Sequence, residues 1–462
     1  MDNILILGQH TQGMIAACML AKTDRRLQVI AFPDDSAYTE FFEGSKIGPV
    51  THLPLALPKY LLKHLELEKF GLEEIEAQDN PFEKLPFYNG LKKLCRMFVD
   101  LNGQMPPYRE KAWRDTWSTF EIGRILSEYD ADVQALFAKS ATLSLIELLE
   151  ASNLNEVEQA EITALCLLGS RTNLNGKGTA AAILPAMMAY EREDSVILQG
   201  TIHSLSRALH DCAQSNGVEF IEGKYIRTIT THGEKISSVI CDDESELKAD
   251  YYIFDHDPVS LFQNFLKDFK PLPSFKNRVV PPQNIKEAVQ IRVVIDDVIA
   301  LPNYVAPNLD YIAKARQDFQ TDGGSQNPIL SIINVSEKYP QMGINGQSVL
   351  SVIAQYFEHD LDNDEAILMA VKNALKLQIP DFDISKIVNA SLFPVSSQFG
   401  QPTFNSAMPL LQLLKIFSGY HAIAYDFPIE NAVVAGYGGG TAAHYHTYDG
   451  GERVANLLQS FE

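Results

Sequence analysis

Short apolar runs, helical stripes and period-two strands follow one another along this chain in a readable order. Ile4-Leu5-Ile6-Leu7 is unbroken by polar residues and reads as a buried strand. It passes through Gly8-Gln9-His10-Thr11-Gln12-Gly13 into Met14–Ala21, which is small and apolar: strand, glycine-bounded turn, helix. Leu27–Phe32 is a natural second strand, and Leu61–Phe70 is expected to be a helix carrying Leu61, Leu62, Leu65 and Leu67. From about residue 75 to 190 the pattern is mostly helical, with apolar faces in Ser144–Leu149 and Glu161–Leu168. Trp113 and Trp117, four apart, would share one helix face as a packed aromatic stripe.

Beyond residue 200 the period changes. Thr201–Cys212 is an amphipathic helix; Val218–Ile221, Tyr225–Thr230, Lys235–Cys241 and Ala249–Asp255 are expected strands. Residues 285–297 and 328–355 supply strands of a second sheet, and Glu365–Leu377 a helix. Asn431–Ala435 is a last strand that runs into Gly436-Tyr-Gly-Gly-Gly440, followed by a closing helix through Leu458. Pro271, Pro273, Pro281 and Pro282 mark a crossover between domains.

Composition narrows the function classes. The 462 residues suggest two or three domains, and 46% hydrophobic with 21% charged residues is ordinary for a globular chain. A net charge of -21, spread along the sequence, disfavours nucleic acid and anionic bilayers as partners. The apolar runs fall short of a membrane span, and a strand from residue 3 leaves no room for a signal peptide; a cytoplasmic location is expected. Cys18, Cys95, Cys166, Cys212 and Cys241 are widely separated and contain no C-x-x-C pair, so neither a zinc knuckle nor a redox dithiol is indicated.

The opening strand–turn–helix has the form of a dinucleotide-binding unit, but His10 stands where the second of three glycines lets the backbone approach a pyrophosphate. Several later segments follow in family order: Thr39–Leu72, the helix start Gly200–Leu209, the strands Ser215–Ile226 and Ala249–Pro258, then Gln398–Pro402 and Tyr425–Gly438. Together they resemble the phytoene-desaturase-like FAD oxidoreductases, within the flavin amine oxidase superfamily, over nearly the whole chain. The resemblance implies an α/β fold with a Rossmann-like FAD/NAD(P)-binding domain interleaved with an α+β substrate domain. Residues 1–72, 190–265 and 420–462 would form the first, 73–189 and 266–419 the second. It implies FAD as cofactor, with Gly8, Gly13, Asp34, Ile226, Gly436, Gly438 and Gly450 as cofactor-binding residues. It also implies hydride removal from a bulky apolar substrate, the flavin serving as electron sink, with no obligatory protein base.

Four departures bear on that cofactor. His10 replaces a glycine. The acid that should end the second strand and hold the ribose hydroxyls falls at Phe32 or Pro33, with Asp34 one step late. A Gly-Gly pair expected beside the diphosphate is Asp34-Asp35-Ser36-Ala37, and the triple-glycine loop near the flavin ring falls on Ala442-Ala443-His444. Two readings follow: a divergent FAD-dependent dehydrogenase, desaturase or oxidase with weakened or lost FAD binding, or a cofactor-free pseudo-oxidoreductase serving as a binding or partner subunit, with a protein partner or a second copy of itself.

Other clusters carry less. His444 and His446 are substrate-side candidates; they lack a third ligand at metal spacing, so no metal is expected. In Asp255-His256-Asp257 a carboxylate–imidazole pair suits acid–base work, but Asp257-Pro258 reads better as the cap of a following helix. Arg171–Gly178 reads as a connector. Neither a nucleophile elbow nor a P-loop occurs.

Overall fold

The computed structural model describes residues 2–33, 40–42, 45, 46, 52, 55–75, 80–104, 123–168, 172–190, 195–200, 202–256, 261–270, 288–338, 346–357, 364–379, 382–394, 427–436, 451, 454, 455 and 458. In chain order the strands are β1 (Asn3–Leu7), β2 (Arg26–Ala31), β3 (Glu40–Phe42), β4 (Ser45–Lys46), β5 (Ala56–Pro58) and β6 (Glu74–Ile75). There follow β7 (Ser195–Leu198), β8 (Glu219–His232), β9 (Lys235–Cys241), β10 (Glu246–Leu247) and β11 (Tyr251–Asp255). The remainder are β12 (Ala288–Ile295), β13 (Tyr304–Val305), β14 (Leu330–Asn334), β15 (Ser348–Gln355), β16 (Ile387–Pro394) and β17 (Ala432–Gly436).

Seven strands form one sheet in the order β10-β9-β8-β2-β1-β11-β17. β1 lies parallel between β2 and β11, with Ile4 opposite both Leu27 and Tyr251, and β8 and β17 extend the parallel set. The central strands β1 and β11 are apolar on both sides because both sides are covered. Ile4, Ile6, Val29 and Ile253 pack with helix α1 (Thr11–Leu20) and the helix Ile202–Ser215. Leu5, Leu7, Ile30 and Phe254 pack on the opposite side with Leu261 and Phe265. A second, antiparallel sheet runs β13-β14-β15-β12-β16. One of its faces (Val289, Ile291, Val293, Leu350, Val352) is aliphatic and packs on the helix Asp364–Gln378. Helices drawn from the described residues between 82 and 188 gather a fourth core, which Ala288, Ile329 and Ile353 join from the other face of that sheet. The architecture is thus the expected α/β one: a Rossmann-like layer and a second α+β layer.

Two elements differ from their sequence reading. Leu61–Phe70 is not one helix. α2 (Lys59–His64) stops, Glu66 adopts a left-handed φ of 51°, and a 3-10 turn (Leu67–Phe70) follows. On a straight helix Leu67 would stand roughly 200° from Leu65. The left-handed step returns it to the same core, where Leu61, Leu62, Leu65 and Leu67 are all buried. The expected strands 218–221 and 225–230 are one strand, β8, bent at Gly223 (φ 70°), whose first part pairs with β2 and whose remainder pairs with β9. Trp113 and Trp117 lie outside the described residues.

Candidate functional site

The parallel strands end on a common edge, and in open α/β sheets ligands bind beyond the carboxyl ends of the strands. Gly8 leaves β1 there with φ 112°, donating its N–H to the carbonyl of Ile30 at 2.9 Å. A Cβ at Gly8 would stand 2.5 Å from the carbonyl oxygen of Asp255, so only glycine fits. His10 precedes α1 in extended conformation; its carbonyl accepts from Met14 N–H at 3.1 Å, while its imidazole does not cap the helix.

The cap comes from elsewhere. Asp255, the last residue of β11 and completely buried, accepts the N–H of Gly13 on Oδ2 at 2.8 Å. Gly13 is the third residue of α1, one of the backbone donors that a helix leaves unpaired at its start. A Cβ on Gly13 would fall 2.6 Å from both Cβ and Oδ2 of Asp255. The buried carboxylate is stabilised by that hydrogen bond and by the positive end of the helix. His256, next along, stacks on the buried ring of Phe32 (centroids 4.3 Å apart, planes 19° apart) and meets Phe265 edge-on. The acid–base pairing read from Asp255-His256 is therefore divided between two environments, a helix start and an aromatic cluster. Asp257 lies outside the described residues.

Of the cofactor-binding candidates, Gly8, Gly13, Ile226 and Gly436 come to this edge. Ile226 follows Tyr225, the partner of Ala31 at the end of β2, and Gly436 pairs with Asp255. Asp34, Gly438, Gly450, His444 and His446 lie outside the described residues. Gly451 is described: its N–H donates to Gln12 Oε1 at 2.9 Å, and a Cβ there would sit 2.1 Å from Gln12 O.

These residues fit a diphosphate poorly. Such a group rests on the first turn of the helix after β1 and needs that turn's backbone donors and positive end. Here one donor is held by an internal carboxyl group. The two glycines of the fingerprint are both required by Asp255, whatever else the turn meets. Phe32, one of the two positions expected for a ribose-binding acid, is a fully buried ring in a stack.

A second buried polar centre lies on the face of the antiparallel sheet opposite its aliphatic side. His52 is buried across β14 and β15, with Nδ1 2.8 Å from Ser331 Oγ and Nε2 3.0 Å from Ser351 Oγ. Gln290 on β12 donates to the same Ser351 Oγ at 2.9 Å. Arg292, also on β12 and buried, is in register with Ser351 and Ser391. Burial, then the charge of Lys338, pushes the His52 pKa down to about 3, so the ring is neutral in the folded protein. Burial likewise lowers Arg292 and Lys338. Tyr190 and Tyr304 bring their hydroxyls to 3.3 Å, and burial pushes the Tyr190 phenol up to about 12. None of this was singled out from sequence; the available signal was polar residues at alternate positions of otherwise apolar strands, Gln290 and Arg292 between Val289, Ile291 and Val293.

The sequence also gave no sign of one thiol pair. Cys18 on α1 donates its thiol to the Leu209 carbonyl at 3.2 Å and Cys212 on the adjoining helix to the Leu65 carbonyl at 3.5 Å; the two thiols perturb each other, raising Cys18 and lowering Cys212. All five cysteines are buried and none forms a disulfide. Among the described residues no group of three or more His, Cys, Asp or Glu is placed to hold a metal ion, and no helix is long and apolar enough to cross a membrane.

No protein-family model matches the chain, and no curated protein matches its sequence. Solved structures do. The chain is similar to an oxidoreductase from Methanosarcina mazei, at 12% identity and a TM-score of 0.54, over 99% of this chain and 100% of that one. It is similar to a Pyrococcus furiosus protein at 12% identity and a TM-score of 0.54, over 99% and 97% of the two chains. It also resembles putrescine oxidase bound to putrescine, at 12% identity and a TM-score of 0.51, over 99% of each chain. At this identity the likeness shows the fold alone, one shared with these solved structures along nearly the whole chain.

Proposed function

We propose that this chain is a divergent relative of the phytoene-desaturase-like flavoproteins in which FAD binding is weakened or lost, and whose small-molecule ligand is bulky and apolar. Its dinucleotide layer comprises residues 1–72, 190–265 and 420–462, and its substrate layer 73–189 and 266–419. The observation that carries the reading is the Asp255 carboxylate on the Gly13 N–H, where the fold would otherwise offer its helix to a diphosphate. A second reading, a cofactor-free pseudo-oxidoreductase that binds a partner protein or its own copy, draws support from Phe32, whose stacking on His256 removes one of the two expected positions for a ribose acid.

The test is the colour of the purified protein and its response to added FAD. The expected preparation lacks the visible absorbance of an oxidised flavin and gains little thermal stability from the cofactor, since a ligand stabilises only in proportion to its occupancy. A yellow protein that keeps its flavin through gel filtration overturns both readings. A colourless protein that turns yellow at high FAD supports the first, and one that shows no shift at saturating FAD supports the second.

A further inference from the structure

We propose that Asp255 is an intramolecular stand-in for a nucleotide phosphate: its carboxylate fills the anion position at the start of α1 and is the main determinant excluding dinucleotides. The inference rests on the weakened-site reading and assigns the weakening to one side chain.

Three observations support it. The carboxylate is completely buried and aimed at the helix, with Oδ2 2.8 Å from Gly13 N. It is built into the turn on both sides, since Gly8 packs on its carbonyl and Gly13 on its side chain, each at a distance no Cβ tolerates. The helix carries no cap of its own, for the His10 side chain makes no cap to α1 and neither Asp nor Glu stands in the first turn.

The consequence is electrostatic and steric together. An incoming diphosphate seeks the backbone donors of this turn, and Asp255 already takes one of them. A like charge about 5 Å away, at an effective dielectric near 20, weakens binding by roughly a hundredfold. The carboxylate cannot swing clear without leaving the Gly13 N–H unpaired in the interior. Of the departures read from sequence, His10 is part-exposed and Pro33 exposed, whereas Asp255 is buried and hydrogen-bonded.

The experiment compares the full chain with Asp255→Asn and Asp255→Ser, each of which keeps an acceptor for Gly13 and removes the charge. Binding of FAD, ADP and adenosine is measured by calorimetry, and folding by circular dichroism. The expected result is a gain of ten- to a hundredfold for FAD and ADP, which carry phosphates, and none for adenosine. The double variant His10→Gly with Pro33→Glu, with Asp255 kept, is expected to gain less than tenfold. Folded Asp255 variants with unchanged ADP and FAD affinity overturn the proposal, as does a gain from the His10/Pro33 pair equal to that of Asp255→Asn. If neither Asp255 variant folds, the carboxylate is a structural cap and the proposal falls. The weakened-site reading fails separately, if the unaltered chain already holds FAD tightly; a gain in ADP affinity on removing Asp255 is measurable even then.

Discussion

The molecule satisfies two buried polar centres by opposite means. At the edge of the parallel sheet, Asp255 is stabilised by a backbone N–H and the positive end of a helix. On the antiparallel sheet, His52 is neutral and lies between two hydroxyls, those of Ser331 and Ser351. The first centre uses a fixed dipole to hold a charge; the second uses burial to prevent one. Their neighbours differ accordingly. Around Asp255 the structure requires glycines, because backbone and carboxylate approach closely. Around His52 it requires small hydroxylated side chains on adjacent strands, because the ring lies across them. A charge can therefore be part of a core when backbone supplies its partner, and an ionisable ring can be part of a core when it gives up its ionisation.

The largest effect expected from breaking this contrast is in acid. The unfolded chain takes up a proton on His52 near its ordinary pKa of about 6.5, while the folded chain refuses it until about 3. Stability from this group is full above about pH 6.5 and falls by about 1.4 kcal/mol per pH unit as the pH drops toward 3. His52→Phe removes that dependence. Urea midpoints measured between pH 7 and pH 4 (a window of about three units) are expected to fall less steeply for the variant than for the unaltered chain; parallel curves would show that His52 titrates normally in the fold.

Next in size is Gly13→Ala, which forces a methyl against Asp255 and is expected to destabilise the fold by about 2–3 kcal/mol. Asp255→Gly should relieve the clash, whereas Asp255→Ala should not, because Cβ itself lies 2.6 Å from the added methyl. A double-mutant cycle in denaturant reads that difference, and additive losses would separate the two residues. The smallest effect concerns an ordinary helix start for comparison with α1. The helix Leu145–Glu150 is capped locally by Ser144, whose Oγ accepts from Glu147 N–H at 3.1 Å, with Glu147 reaching back to Ser144 N–H at 2.8 Å. Ser144→Ala is expected to cost about 1 kcal/mol in the same unfolding assay. No loss would mean that this turn, like α1, is held from a distance.

Much of the fold was legible because its signals are local. The unbroken run Ile4–Leu7, the glycine-bounded turn and the strand before Gly436 each announce a buried parallel strand or its end, and the structure has them there. The helices Ile202–Ser215 and Asp364–Gln378 follow their apolar periodicity. The break at Glu66 was not legible, because leucine spacing alone does not show that a left-handed residue will return Leu67 to the core. The site was less legible for a different reason. Asp255 and Gly13 are 242 positions apart, and His52 is 279 from Ser331 and 299 from Ser351. No periodicity links such pairs; they meet only through strand order. Gly8 and Gly13 were recognised, but their requirement for glycine comes from Asp255, which the sequence pattern placed only at the end of a strand beside His256.

The seal between Gly451 and Gln12 sets an order of events during synthesis. Gly451 closes on the first turn of the first helix, at a spacing that admits no methyl group. The opening strand and helix thus emerge hundreds of residues before the segments that complete their burial, a long-range pairing of the kind that slows folding. Until then the nascent amino terminus presents an uncovered apolar surface, the kind of transient exposure that favours aggregation.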